Sequence, residues 1–168
     1  SHRGEVGQAQ LGLDDLDIGD RVHAPRHMHD VVVFEATHDI DDGIGLALAR
    51  RQVKSDRIVV TVIGDGTLGE GLLYESINLA SIWRLPVLYV VENNGIAQTT
   101  YTRDTIGGTI EGRARAFGLQ CRHLDDADPN FMRGAEQVVR DLRTQRLPGL
   151  LIIDTCRLGP HSKGDDLR

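Results

Sequence analysis

Two short, β-branched apolar runs, each cut off by a polar turn containing glycine, leave this chain very few architectures. Residues 57–63 read RIVVTVI and stop at Gly64-Asp65-Gly66; residues 86–91 read PVLYVV and stop at Glu92-Asn93-Asn94-Gly95. Runs that are apolar at successive rather than alternate positions are buried on both faces, as the strands of a parallel sheet are. Between them, Leu72, Leu73, Ile77, Leu79, Ala80 and Trp83 recur at helical spacing over residues 71–84, ending before Pro86. A third run, residues 150–154, is predicted as a strand. Further helices are predicted over 43–52, over 109–117, where Ile110, Ala114 and Phe117 share a face, and from Asp128 to about Gln145. In that last helix Asp128 is the expected cap and Pro129 the first helical residue. Strand–helix–strand–helix–strand with short links implies an α/β fold, a parallel sheet with flanking helices and right-handed crossovers. Residues 1–40 are rich in Asp, Gly and His without sustained periodicity and read as an irregular N-terminal segment. Residues 157–168 read as a polar loop, and the expectation is one domain over 1–168.

Charge and cysteine content narrow the classes. With 19 Lys+Arg against 25 Asp+Glu the net charge is −6, the wrong sign for a general nucleic-acid binder. Two cysteines, Cys121 and Cys156, are too few for a disulfide scaffold. No apolar run reaches the roughly 18 residues of a membrane helix, and no signal peptide is recognisable. The expectation is a cytoplasmic protein with no membrane contact.

In an open parallel sheet, ligands bind outside the carboxyl ends of the strands. Gly64-Asp65-Gly66-Thr67 and Glu92-Asn93-Asn94-Gly95-Ile96 both fall at that rim, joined by one crossover helix. Glycines let backbone N–H groups approach a phosphate, and a helix starting near Glu70 directs its positive dipole there. Asp65 and Asn94 each offer a hard oxygen suited to Mg²⁺. A diphosphate held by Mg²⁺ is the economical ligand.

The stretch from Gly64-Asp65-Gly66-Thr67-Leu68-Gly69-Glu70-Gly71 to Glu92-Asn93-Asn94-Gly95 resembles the thiamine-diphosphate motif, Gly-Asp-Gly followed some thirty residues on by Asn. The closer resemblance is to the alpha subunit of the decarboxylase component of 2-oxo acid dehydrogenases. Glu75, Asn78, Ala80 and Trp83-Arg84-Leu85-Pro86 resemble its helix and following strand. Residues 157–166, with His161-Ser162 and Asp165, resemble its catalytic loop, and Ser1-His2-Arg3-Gly4 its diphosphate-reaching pair. The resemblance implies the cofactors thiamine diphosphate and Mg²⁺. Asp65, Asn94 and the Ile96 carbonyl would bind the metal, and Gly64, Gly66 and Thr67 would line the diphosphate. Arg3 would pair with a diphosphate oxygen, and His161 would sit over the thiazolium as a catalytic and cofactor-binding residue. Ala36 would be the counterpart of the prop under the aminopyrimidine, within an unusually acidic stretch, residues 36–42.

The implied function is that of an oxidoreductase acting on a 2-oxo acid and passing the acyl group to a lipoyl-bearing acyltransferase. A beta-type partner chain completes the active site, in a heterotetramer. Transketolase-like ketol transfer, or a non-catalytic cofactor-binding or assembly module, are the alternatives.

Other residues have plainer readings. His23, His27 and His29 form a His-rich patch whose imidazoles suit a transition metal, against which stand the lack of a carboxylate or thiol at helical spacing and the loop setting; His38 reads as a substrate contact or a solvated loop residue. The run Asp14-Asp15-Leu16-Asp17 reads as a solvated face. Cys121 and Cys156 read as small core or near-core residues without a base partner, and Trp83 and Tyr89 as packing residues.

Overall fold

The computed structural model describes residues 31–35 and 40–159. Five strands form one parallel sheet: β1 (Val31–Glu35), β2 (Ile58–Gly64), β3 (Val87–Asn93), β6 (Gln120–Asp125) and β7 (Gly149–Asp154), in the order β1-β2-β3-β7-β6. A two-stranded antiparallel hairpin, β4 (Ile96–Ala97) with β5 (Thr100–Tyr101), projects beyond β3. The helices are α1 (Ile40–Gln52), α2 (Gly71–Ile82), α3 (Ile110–Ala116) and α4 (Phe131–Gln145), with short 3₁₀ turns at Asp65–Gly69 and Thr102–Asp104. The predicted parallel α/β sheet with flanking helices is the fold found.

The sheet is packed on both faces, as its continuous apolar runs require. Because strand side chains alternate, Val59, Ile63, Val87, Tyr89, Val91, Leu150 and Ile152 face one side, where Ile40, Ala47, Leu73, Ile77, Ala80 and Ala114 bring α1, α2 and α3 onto them. Ile58, Val60, Leu88, Val90 and Leu151 face the other side and meet Val138 and Leu142 of α4. Burying one such aliphatic side chain contributes roughly 1.5–3 kcal/mol. Tyr89 sits fully inside, and its hydroxyl is satisfied by the Ser76 hydroxyl at 2.8 Å. Burial pushes the Tyr89 phenol far above its usual range, with the Ser76 bond opposing.

Three helices end alike. Leu85 N–H reaches Ala80 C=O, Leu119 reaches Ala114, and Ser55 reaches Arg50. Each is the six-to-one bond of a left-handed helix end. The left-handed residue is Gly118 after α3, but Arg84 after α2 and Lys54 after α1.

Several elements differ from expectation. Residues 31–35, expected as loop, pair with β2 from Val31↔Ile58 to Glu35↔Val62. Residues 120–125, unassigned from sequence, form the edge strand β6, mostly exposed. The first helix begins at Ile40 rather than 43, so Asp41 and Asp42 lie in its first turn, where the dipole favours acids. The last helix starts at Phe131. Asp128 Oδ1 accepts the Asn130 N–H at 2.8 Å, and Asn130 is the N-cap residue, so Asp128-Pro129 forms a turn ahead of the helix. Cys121 packs against the core as expected. Cys156 is exposed, and Trp83 is 38% exposed at the end of α2, less packed than predicted.

Candidate functional site

The two glycine turns converge at the carboxyl edge of the sheet. β2 ends at Gly64 and β3 at Asn93, with Gly64 opposite Glu92 in register, so both turns leave the same rim side by side. Asp65, 2% exposed, opens the 3₁₀ turn, and its Oδ2 accepts the Gly95 N–H at 2.7 Å. That bond ties one turn directly to the other. Gly95 has φ +76°, a left-handed conformation that glycine adopts without strain. Its carbonyl accepts the Thr102 N–H at 3.0 Å, closing the hairpin base. Asn94 Oδ1 accepts the Ile96 N–H at 3.0 Å, a local Asx turn that fixes the side-chain oxygen.

The glycines around Asp65 have two different jobs. A Cβ on Gly66 would lie 2.7 Å from that of Ala97, so the turn can approach the hairpin only because residue 66 has no side chain. At Gly64 a Cβ would meet nothing within 4 Å, which leaves an open cradle beside the buried carboxylate. No side chain caps the 3₁₀ turn at Gly64. The first N–H groups of a helix lack internal partners, so those of Gly66 and Thr67 are suited to anion oxygens. Thr67 itself is buried.

The donor chemistry fits a hard divalent cation. A carboxylate, an amide oxygen and a neighbouring backbone carbonyl at Ile96 are oxygen ligands of the kind Mg²⁺ takes together with phosphate. Among the described residues no group of three or more His, Cys, Asp or Glu could hold a metal, so a softer His/Cys site is absent there.

Sequence reasoning missed the brace behind the turn. Arg113 of α3 donates from Nη1 to the Leu68 carbonyl at 3.0 Å and from Nε to the Gly107 carbonyl at 3.2 Å. It also bonds the Tyr74 hydroxyl, which itself donates to Leu68 C=O, and Tyr74 stacks on Phe117 at 6.0 Å. A five-donor fork can bridge several carbonyls at once, but nothing in the local sequence of Arg113 marks its partners. Cys121 is no nucleophile candidate, since burial, with the Glu111 charge adding, pushes its thiol up.

Asp65, Asn94, Ile96, Gly64, Gly66 and Thr67 are thus brought together. Arg3, Ala36, His38, the histidines at 23, 27 and 29, the acidic run at 14–17 and His161 lie outside the described residues. The loop approaching His161 leaves β7 without regular structure, and Arg157 in it donates to the Gln98 carbonyl at 2.5 Å, bringing it against the β4–β5 turn.

Comparison with known proteins agrees in family and fold. The family described as "Dehydrogenase E1 component" matches residues 28–168. The pyruvate dehydrogenase E1 component subunit alpha of Rickettsia typhi is 35% identical over 125 residues, covering 73% of this chain and 38% of that protein. The mitochondrial 2-oxoisovalerate dehydrogenase subunit alpha of Caenorhabditis elegans is 33% identical over 132 residues, covering 77% of this chain and 31% of that protein. The match thus spans under two-fifths of either relative. Among solved structures, transketolase from Campylobacter jejuni has the same fold, with a TM-score of 0.62 at 20% identity, over 69% of this chain and 19% of that one. The glycine turns at one sheet edge and the match over residues 28–168 agree: the chain belongs to the dehydrogenase E1 component family.

Proposed function

We propose that this chain is the alpha part of a thiamine-diphosphate-dependent 2-oxo acid dehydrogenase and binds the Mg²⁺-diphosphate end of the cofactor. The observation that carries the reading is the 2.7 Å bond from Gly95 N–H to Asp65 Oδ2, which makes one site of two turns by joining residues 30 positions apart. In this reading Asp65, Asn94 and the Ile96 carbonyl hold Mg²⁺. Gly64 leaves room for the diphosphate, and Gly66 and Thr67 donate backbone N–H groups to it. Arg3 would neutralise a diphosphate oxygen, and His161 would be the catalytic residue that this chain contributes at the thiazolium. Bound thiamine diphosphate supplies the electron sink that decarboxylation of a 2-oxo acid requires. The chain's own part is to hold the anionic end rigidly, so that the reactive ring is presented to the substrate in one orientation.

The proposal extends to partners. A beta-type chain completes the active site in a heterotetramer, and a lipoyl-bearing acyltransferase takes the acyl group. The family match favours this over ketol transfer, for which only the fold speaks. Among the described residues no helix is long and apolar enough to cross a membrane; a cytoplasmic location and a single working domain over residues 1–168 are part of the proposal.

Calorimetric titration of thiamine diphosphate with Mg²⁺ into the chain tests the reading. Saturable binding is expected in the wild type and a loss of at least about a hundredfold in Asp65→Ala, the scale of one charged ligand. Equal affinity in the two proteins sinks the assignment.

A further inference from the structure

A second row of side chains runs along the same sheet edge. Asn93, the last residue of β3, stands opposite Asp154, the last of β7. Asp154 Oδ1 accepts from Asn93 Nδ2 at 2.7 Å, and its Oδ2 faces His123 Nε2 of β6 at 2.8 Å. His123 Nδ1 in turn faces Glu111 Oε1 of α3 at 3.2 Å. The backbone doubles the link, with Thr155 N–H on the Asn93 carbonyl at 3.1 Å and Asp126 N–H on the Asp154 carbonyl at 3.0 Å.

We propose that Asp154 is a positioning residue for Asn94: by gripping the Asn93 amide it fixes where β3 ends and where the next side chain points. The inference rests on the Mg²⁺-diphosphate reading above. Mg²⁺ demands near-ideal octahedral geometry, and ligands are oriented by the groups behind them. Asn94 is one peptide bond beyond the gripped residue and is followed at once by the left-handed Gly95, so a turn of Asn93 about its backbone would swing the Asn94 oxygen with it. His123 holds the second oxygen of Asp154 and prevents the carboxylate from rotating away.

Magnitudes favour geometry over stability as the role. The side chains of Asp154 and His123 are each 45% exposed and that of Glu111 is 34% exposed. Polar contacts this open contribute little to folding. Removing them therefore changes the position of the turn more than the stability of the sheet.

The test uses the full chain as wild type, Asp154→Ala and Asp154→Asn, with amide hydrogen exchange read by NMR and Mg²⁺ affinity read by titration with thiamine diphosphate present. In Asp154→Ala the Gly95 and Ile96 amides are expected to exchange about tenfold faster, and Mg²⁺ affinity to fall about tenfold or more, the usual effect of losing a partner behind a metal ligand. Asp154→Asn keeps an acceptor oxygen for Asn93 and is expected to restore most of both. Asn93→Ala, which removes the donor instead, is expected to repeat the alanine result at 154 and serves if Asp154→Ala does not fold. Unchanged Gly95 and Ile96 exchange overturns the proposal whatever binds. Faster exchange with unaltered Mg²⁺ affinity also overturns it, reducing the row to a structural clasp. A wild type that binds no Mg²⁺-cofactor overturns the underlying reading instead, and with it the proposal.

Discussion

At the scale of single residues, the site depends on what is missing as much as on what is present. Gly66 lets the turn touch the hairpin, since a methyl there would meet Ala97 at 2.7 Å. Gly66→Ala is expected to cost about 1–3 kcal/mol in denaturant unfolding, the usual range for forced overpacking, and to weaken Mg²⁺-dependent cofactor binding by displacing the 3₁₀ turn. Unaltered stability and binding would show that the hairpin yields freely. Tyr89 makes a complementary case. Its hydroxyl and that of Ser76 satisfy each other inside the core, so Tyr89→Phe leaves the Ser76 hydroxyl buried and alone, an expected loss of about 1–3 kcal/mol by thermal unfolding.

That the turns holding Asp65 and Asn94 leave the same rim is legible in the sequence itself, because two apolar strands joined by one helix must end there. The grip of Asp154 on Asn93 is not legible there, since it joins residues 61 positions apart through a register that only the assembled sheet defines. Arg113 is hidden for a similar reason. Its partners Leu68, Tyr74 and Gly107 come from other segments, and an arginine on a short helix otherwise reads as surface charge.

At the scale of elements, buried strands are legible and exposed ones are not. Residues 57–63, 86–91 and 150–154 are apolar on both faces because helices cover both, and that pattern survives in the sequence. β6 is an edge strand whose Gln120, Arg122, His123 and Asp125 stay exposed, so it carries no apolar run to find. β1 does carry one, Val31-Val32-Val33-Phe34, but it stands among residues whose Asp, Gly and His content points to loop. Helix starts mislead where a cap has an imitator. Asp128 bonds a backbone N–H two residues on, as a cap would, yet forms a turn before the helix.

The helix ends suggest an improvement. After α3 the left-handed position is Gly118; after α2 the same six-to-one closure places Arg84 there at φ 49°. A side chain in that conformation costs roughly 1–2 kcal/mol relative to glycine before chain entropy is counted. Arg84→Gly is therefore expected to stabilise the chain by about 0.5–1 kcal/mol, read as a higher unfolding midpoint. A lower midpoint would mean that the Arg84 side chain contributes more than its backbone strain removes. Thr109, whose hydroxyl accepts the Gly112 N–H at 3.0 Å, caps the start of α3. Thr109→Ala is expected to cost about 1 kcal/mol, with the loss also felt at Arg113, which rides on that helix.

At the scale of the whole molecule, the two sheet faces are covered unequally among the described residues: α1, α2 and α3 share one, and α4 takes the other. The proposed division of labour with a beta chain belongs at this scale. Consumption of a 2-oxo acid is expected only when such a chain is added, while Mg²⁺-dependent binding of thiamine diphosphate is expected without it; turnover by this chain alone would refute the division.

The strand order also has a consequence for how the chain is made. β7 lies between β3 and β6, and among the described residues β6 pairs with no other strand. During synthesis from the N-terminus, β1, β2 and β3 can zip together as they emerge, each beside its predecessor. β6 then leaves the ribosome with no neighbour to join, and the open side of β3 waits with it. Six residues, Gly149–Asp154, close both gaps at once, and the same six bring Asp154 to Asn93. The Asp154–Asn93 bond next to Asn94 is therefore among the last parts of this sheet to form, and a ribosome paused before residue 149 holds a nascent chain whose Asn94 turn still lacks it.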